Sequence, residues 1–221
     1  MDSNKICILY VDEETDQLAD FQADAELSDL FDQVLTIEPR QNLAEMVDEI
    51  LTLKVDAVIS DFALNEAAIV DYNGDQLLNA IQSVRHNFPC FLRTSFEDDA
   101  VSHSSDVNRV YVKADSLNLH SQANLFQRVA AQVKSYNRMY HKMQQEHFSL
   151  RDKLSKQGLS SIETERLIEL DDILESYLSA EQKTPSEVKR IALDKFDKLM
   201  ESTDNLISEI ESKLDGNTLD V

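Results

Sequence analysis

Five side chains stand out for the chemistry they could do together: Asp12, Glu13, Asp61, Thr94 and Lys113. Each follows a short apolar run. Ile6-Cys7-Ile8-Leu9-Tyr10-Val11 leads into Asp12-Glu13, and Ala57-Val58-Ile59-Ser60 into Asp61. Cys90-Phe91-Leu92-Arg93 leads into Thr94, and Val110-Tyr111-Val112 into Lys113. Short apolar runs of this kind read as buried β-strands. In an open parallel α/β sheet, ligands bind beyond the carboxyl ends of the strands. That edge would gather three carboxylates, a hydroxyl and an ammonium. Carboxylates held so close repel one another, and a hard cation such as Mg²⁺ is the natural resident.

The segments between these runs must supply the elements that hold them. Leu18, Phe21, Leu27, Leu30 and Phe31 give residues 16–31 an approximate apolar helix face, and Val34-Leu35-Thr36-Ile37 is a second strand stopped by Pro39. Leu43, Met46, Val47, Ile50 and Leu51 recur at helical spacing. Gly74 precedes a helix carrying Leu77, Leu78 and Ile81, and Pro89 opens the fourth strand. A weak helix is expected over 97–106, where Ser102, His103, Ser104 and Ser105 leave few apolar anchors. The alternation implies right-handed βα units in a doubly wound, five-stranded parallel sheet of order 2-1-3-4-5. Cys7 and Cys90 fall on strands one and four, which strand three should separate. They read as free thiols in a reducing cytoplasm.

In this order, on these strand ends, the residues resemble the receiver domain of two-component response regulators, over roughly residues 5–125. Val11-Asp12-Glu13-Glu14 matches the acidic pair after strand one, and Ile59-Ser60-Asp61-Phe62 the phospho-acceptor aspartate after strand three. Leu92-Arg93-Thr94-Ser95 matches the Thr or Ser after strand four, and Tyr111-Val112-Lys113-Ala114 the Lys after strand five. The resemblance implies that Asp61 is the nucleophile that takes a phosphoryl group. It implies Mg²⁺ on Asp12, Glu13, Asp61 and the backbone carbonyl of Ala63, neutralising charge on the transferring oxygens. Lys113 would pair with Asp61 and then with a phosphoryl oxygen, and Thr94 would hydrogen-bond another. A histidine kinase or phosphotransferase would supply the phosphate. The chain would not be an enzyme beyond self-phosphorylation and slow self-dephosphorylation.

The pattern departs from the family in several places. Residues 62–73 separate Asp61 from Gly74, a longer loop than usual, and its Glu66 and Asp71 either influence partner choice or belong to a surface extension. Ala114 stands where a Pro usually follows the Lys. The aromatic usually found three residues before that Lys is Val110, with Tyr111 one place along and on the other face. The positions two past the Asp and two past the Thr, which influence water attack, are the apolar Ala63 and Phe96. Slow loss of phosphate is expected.

The second half reads as helix throughout. Leu125, Val129, Val133, Tyr136, Tyr140, Met143, His147, Leu150 and Leu154 recur at steps of three or four, continuing the last receiver helix until near Gly158. Ser160-Ser161-Ile162-Glu163 is a capping box. It opens a helix with a Leu167, Leu170, Leu174 and Leu178 stripe. Thr184-Pro185-Ser186-Glu187 opens a third, carrying Ala192, Phe196, Leu199, Thr203, Leu206 and Ile210 and stopping before Gly216. A helical hairpin, a three-helix bundle and an intermolecular coiled coil all fit. The reading divides the chain into a receiver domain over 1–122 and a helical module over 123–217. Arg128, Lys134, Arg138, Lys142, Arg151, Lys153 and Lys156 bias the long helix basic, against Glu146 and Asp152. That strip is a solvated face or a docking strip for an acidic protein surface. His141 and His147 sit where phosphotransferases carry their phosphohistidine, but His147 falls on the apolar stripe, where a packed His is expected.

Charge narrows the function classes. The formal net charge is −21, which argues against a general nucleic-acid binder. Residues 1–120 hold 24 acidic and 7 basic residues, and residues 121–221 hold 18 and 14, so the halves are different objects. No apolar stretch is long enough to span a bilayer and no signal peptide opens the chain, so a cytoplasmic protein is expected. The expected output is contact with a protein partner or oligomerisation, a homodimer included, or service as a phosphate sink. Two readings from other classes stay open: a receiver-like adaptor indifferent to phosphorylation, and a Mg²⁺-dependent phosphatase. Haloacid-dehalogenase-like phosphatases carry Asp-x-Asp after strand one, where this chain has adjacent Asp12-Glu13.

Overall fold

The computed structural model describes residues 6–65, 70–95, 102, 104, 106–113, 119–175 and 186–216. Its elements are β1 (Cys7–Val11), α1 (Thr15–Leu27), β2 (Gln33–Ile37), α2 (Leu43–Thr52), β3 (Ala57–Asp61) and α3 (Gly74–Val84). Then come β4 (Cys90–Thr94), a 3₁₀ turn (Val107–Arg109), β5 (Val110–Val112), α4 (Leu119–Gln157), α5 (Ser161–Glu175) and α6 (Ser186–Gly216). Most of the weak helix expected over 97–106 lies outside the described residues, as do Glu66, Phe96, Ala114, Leu178, Thr184 and Pro185. The chain divides into two compact units, Met1–His141 and Lys142–Val221.

In the first unit the sheet order is β2-β1-β3-β4-β5, the expected one, with every neighbouring pair parallel. Side chains alternate between the two faces of a strand. On one face Ile8, Tyr10, Ile59 and Phe91 pack against Phe21 and Ala25 of α1 and Phe126, Val129 and Val133 of α4. The buried Met46 and Ile50 of α2 and Leu77, Leu78 and Ile81 of α3 belong to the opposite layer. Side-chain caps fix where these helices begin. Asn42 accepts from Ala44 N, and Asn73 and Gln76 form a reciprocal capping box. The first helix is shorter than its apolar pattern suggests. Asp29 takes a left-handed backbone (φ 55°), so α1 ends at Leu27, which is exposed. Leu30 and Phe31 pack on the core from the loop instead.

The second unit holds the end of α4, then α5 and α6. α4 stops before Gly158, whose φ of 76° is one that L side chains rarely adopt. Ser160 and Glu163 form the expected capping box, with Glu163 Oε2 accepting from Ser160 N at 3.0 Å. Leu167, Ile168 and Leu170 of α5 are buried. Bidentate Arg166–Glu146 bonds join α5 to α4 at 2.8 and 2.9 Å. Lys189 ties the start of α6 to Asp171, Asp172 and Glu175 of α5 within 2.9 Å.

Candidate functional site

β1 and β3 are neighbours, so Asp12 and Asp61 emerge side by side at the carboxyl edge of the sheet. Lys113, just past β5, closes the arrangement. Its ammonium lies 3.0 Å from Asp12 Oδ2 and 2.7 Å from Asp61 Oδ1. Both carboxylates are buried, at 0% and 3% exposure. Each has a backbone donor as well: Glu14 N donates to Asp12 Oδ1 at 2.9 Å, and Ala63 N to Asp61 Oδ2 at 2.5 Å. Thr94 ends β4, is buried, and is held by its backbone carbonyl, which accepts from Lys113 N at 2.6 Å. Asp12, Asp61 and Lys113 thus come together directly, with Glu13, Ala63 and Thr94 on the same edge.

The electrostatics follow from burial. Burial pushes the Asp61 carboxyl above the usual carboxylate range, while the Lys113 ammonium and the Ala63 N–H pull the other way. Burial opposes the charge on Lys113, but Asp61 and Asp12 outweigh it and hold its pKa above the ordinary lysine value. Glu13 is pushed up to about 7, first by burial and then by Asp61 and Asp12. Its Oε2 is buried with no hydrogen-bond partner.

That orphaned oxygen tests whether the residues suit a divalent cation. An unpaired buried carboxylate oxygen is costly, and an adjacent cation would satisfy it. Among the described residues, no three His, Cys, Asp or Glu side chains converge into a metal cage. Mg²⁺ does not need one, because it keeps several waters and takes one or two carboxylates. Glu13 and Asp12, with Asp61 beside them, fit that requirement.

Sequence reasoning missed the supports behind the site. Arg93 of β4 is 5% exposed, stacks 5.4 Å from the rings of both Tyr10 and Phe21, and donates to Tyr10 OH at 3.2 Å. Tyr10 in turn donates to Asp12 Oδ2. Burial pushes the Tyr10 phenol well above its usual pKa, so it stays a donor. The signal was available: an Arg inside an apolar strand run needs partners on its own face. Gly74 is the second support. A Cβ there would lie 1.9 Å from the Asp61 carbonyl oxygen, so only glycine lets α3 start against the end of β3. Gly74 N donates to Phe62 O at 3.0 Å and closes the long loop. Tyr72 is buried beside it and donates to Arg40 O at 2.5 Å. A third support is the buried Arg109–Asp75 ion pair at 2.6 Å, which ties α3 to the turn before β5.

Tyr111 lies 6.0 Å from the Phe91 ring, with the Arg128 guanidinium 5.8 Å above it. His147 Nε2 sits 3.0 Å from Asp171 Oδ1 and its side chain is 16% exposed, a packed position. Part of the basic strip of α4 is used internally, Lys153 on Glu163 and Lys156 on Asp152. Cys7 and Cys90 are free thiols, and burial pushes Cys90 up to about 12. A 710 Å³ groove lined by Phe88, Arg109, Tyr111, Arg128 and Tyr136 lies apart from the strand-end residues.

No family model matches the chain, and no curated protein matches it by sequence. Among solved structures it is similar to a response regulator receiver protein from Sinorhizobium medicae WSM419, at 18% identity over 59% of this chain and 96% of that one, TM-score 0.45. It is also similar to a response regulator receiver domain protein from Clostridium thermocellum, at 14% identity over 59% and 98%, TM-score 0.43. A third is RcsB from Salmonella enterica serovar Typhimurium bound to promoter rprA with the phosphomimetic BeF₃⁻, at 14% identity over 87% and 98%, TM-score 0.43. The first two align with the N-terminal part of the chain. Likenesses this distant carry no argument about activity. The parallel order 2-1-3-4-5 gives the N-terminal unit a doubly wound, flavodoxin-like fold.

Proposed function

We propose that this chain is a phospho-accepting response regulator that takes phosphate on Asp61 and acts through protein contacts of its helices. The observation that carries the reading is the Lys113 ammonium held between two buried carboxylates, Asp12 and Asp61, at the carboxyl edge of the sheet. An ion pair so buried is seldom retained for stability alone. Here it aligns one carboxylate for attack.

An Asp61 carboxylate oxygen attacks the phosphorus of a phosphohistidine or a small phosphodonor. A P–O bond forms as the bond to the leaving group breaks, and the aspartate becomes an acyl phosphate. The Ala63 N–H fixes the carboxylate orientation. Lys113 can follow the charge from the carboxylate to a phosphoryl oxygen, and Thr94 is one strand away to donate to another. Asp12 and Glu13 would hold Mg²⁺, which when bound neutralises charge on the transferring oxygens. No further turnover is proposed. With Ala63 and Phe96 apolar, the acyl phosphate lasts well beyond seconds. α4 runs unbroken from the receiver unit into the helical unit, giving the modified state a covalent path to an output or, without one, leaving the chain as a phosphate sink.

The test is intact mass after incubation with Mg²⁺ and acetyl phosphate, wild type beside Asp61→Asn. One phosphoryl adduct is expected on the wild type and none on the variant. No adduct at any Mg²⁺ concentration would favour a constitutive adaptor, and an adduct surviving in the variant would move the acceptor elsewhere.

A further inference from the structure

Helix α6 leaves an apolar stripe uncovered, and we propose that it pairs antiparallel with α6 of a second copy of this chain. The ties of α6 to α5 come from its first residues. Ser186 donates to Asp172 at 2.5 Å, Lys189 reaches three α5 carboxylates, and Arg190 reaches Glu165 at 2.7 Å. Further on, Phe196, Leu199, Leu206, Ile207 and Ile210 are all exposed, Leu199 to 65% and Leu206 and Ile210 to 57% each. Single exposed apolar residues are ordinary, whereas a contiguous stripe marks an interaction surface.

The spacing identifies the occupant. Ala192, Phe196, Leu199, Thr203, Leu206 and Ile210 alternate steps of four and three, the a and d positions of a heptad seam. Run antiparallel about residue 201, the seam closes on itself. Ala192 meets Ile210, Phe196 meets Leu206 and Leu199 meets Thr203 of the other copy, so larger and smaller residues alternate across each layer. The same register sets Met200 against Met200, while Leu193 stays beside Leu154, Leu167 and Ile168 of its own chain. On the other flank it sets Lys195 against Glu209.

Charge selects the direction. Residues 199–212 carry Glu201, Asp204, Glu209 and Glu211 and no basic residue, while residues 192–198 before them are balanced, Lys195 and Lys198 against Asp194 and Asp197. Parallel pairing would stack the acidic halves of both copies. Antiparallel pairing lays each acidic half along the more basic start of the other helix. The paired segment, 192–210, is about 28 Å long at 1.5 Å per residue. A seam of that length belongs to the small end of specific interfaces, and a reversible dimer is expected.

Sedimentation equilibrium of the full chain tests this. Wild type should show a concentration-dependent monomer–dimer equilibrium. Leu206→Asp should be monomeric with unchanged helix content by circular dichroism. Lys195→Glu and Glu209→Lys, each creating two like-charge contacts, should each weaken dimerisation about tenfold at low salt. The Lys195→Glu/Glu209→Lys double variant should recover most of that loss. A wild type that stays monomeric at high concentration would overturn the proposal, as would a dimer indifferent to Leu206→Asp. A double variant that recovers nothing would overturn the antiparallel register.

Discussion

Glu13 is the residue on which the chemistry of the edge can be read most directly. Its carboxyl is held at about 7 against an ordinary 4.5. Between those values the folded chain keeps a proton that the unfolded chain releases. Its contribution to stability is therefore complete below about pH 4.5 and falls as pH rises to about 7. With EDTA present, urea midpoints of the wild type should decline across that window more steeply than those of Glu13→Gln. Parallel slopes would show that the Glu13 carboxyl is ordinary. Mg²⁺ should lift the wild-type midpoint most at the alkaline end, where Glu13 is ionised. Asp61 is also raised by burial and is present in both proteins, and because it is coupled to Glu13 the difference in slope reports the pair.

The element scale explains how a site made of distant residues holds its shape. Strands β1, β3 and β4 fix the heights of Asp12, Asp61 and Thr94 through their pairing, and the helices fix the loops between. Gly74 is the point where the start of α3 meets the end of β3. An alanine methyl at 74 would collide with the Asp61 carbonyl, a backbone atom that cannot rotate away. Gly74→Ala should lower stability by roughly 3 kcal/mol and slow phosphorylation of Asp61 by acetyl phosphate. A fully stable variant with normal adduct formation would mean that α3 moves away from β3 at little cost. The Arg93–Tyr10–Asp12 chain works alongside it, passing rigidity from the aromatic layer of α1 to the buried Asp12 carboxylate.

At the scale of the whole molecule, charge dominates. Seventeen of the 21 excess negative charges lie within residues 1–120, where only 7 basic residues oppose 24 acidic ones. Self-repulsion of this size opposes the compact state, and salt screens it. The thermal midpoint of the N-terminal unit should rise as NaCl is increased from about 20 to about 500 mM, the reverse of what surface ion pairs alone would give. A midpoint that falls with salt would mean that local pairs such as Arg40–Glu49 outweigh the net charge.

The alternation of strands and helices, the helical second half and the strand-end residues are all legible in the sequence alone. Period and punctuation are local properties: apolar runs ended by Asp61, Thr94 and Lys113, and caps such as Ser160-Ser161-Ile162-Glu163, need no tertiary information to be read. Only the tertiary structure decided that Lys113 reaches both Asp12 and Asp61, because that contact spans 101 positions. It alone decided that Arg93 is buried against Tyr10 and Phe21, since a charged residue in a strand run is ambiguous until its face is filled. Leu27 and Leu30 show the same limit: helical spacing put both on one face, while a left-handed Asp29 sent one to solvent and the other to the core. The stripe of α6 was legible as a heptad. That it stands exposed is a property of the tertiary structure, and no pattern within α6 contains that fact.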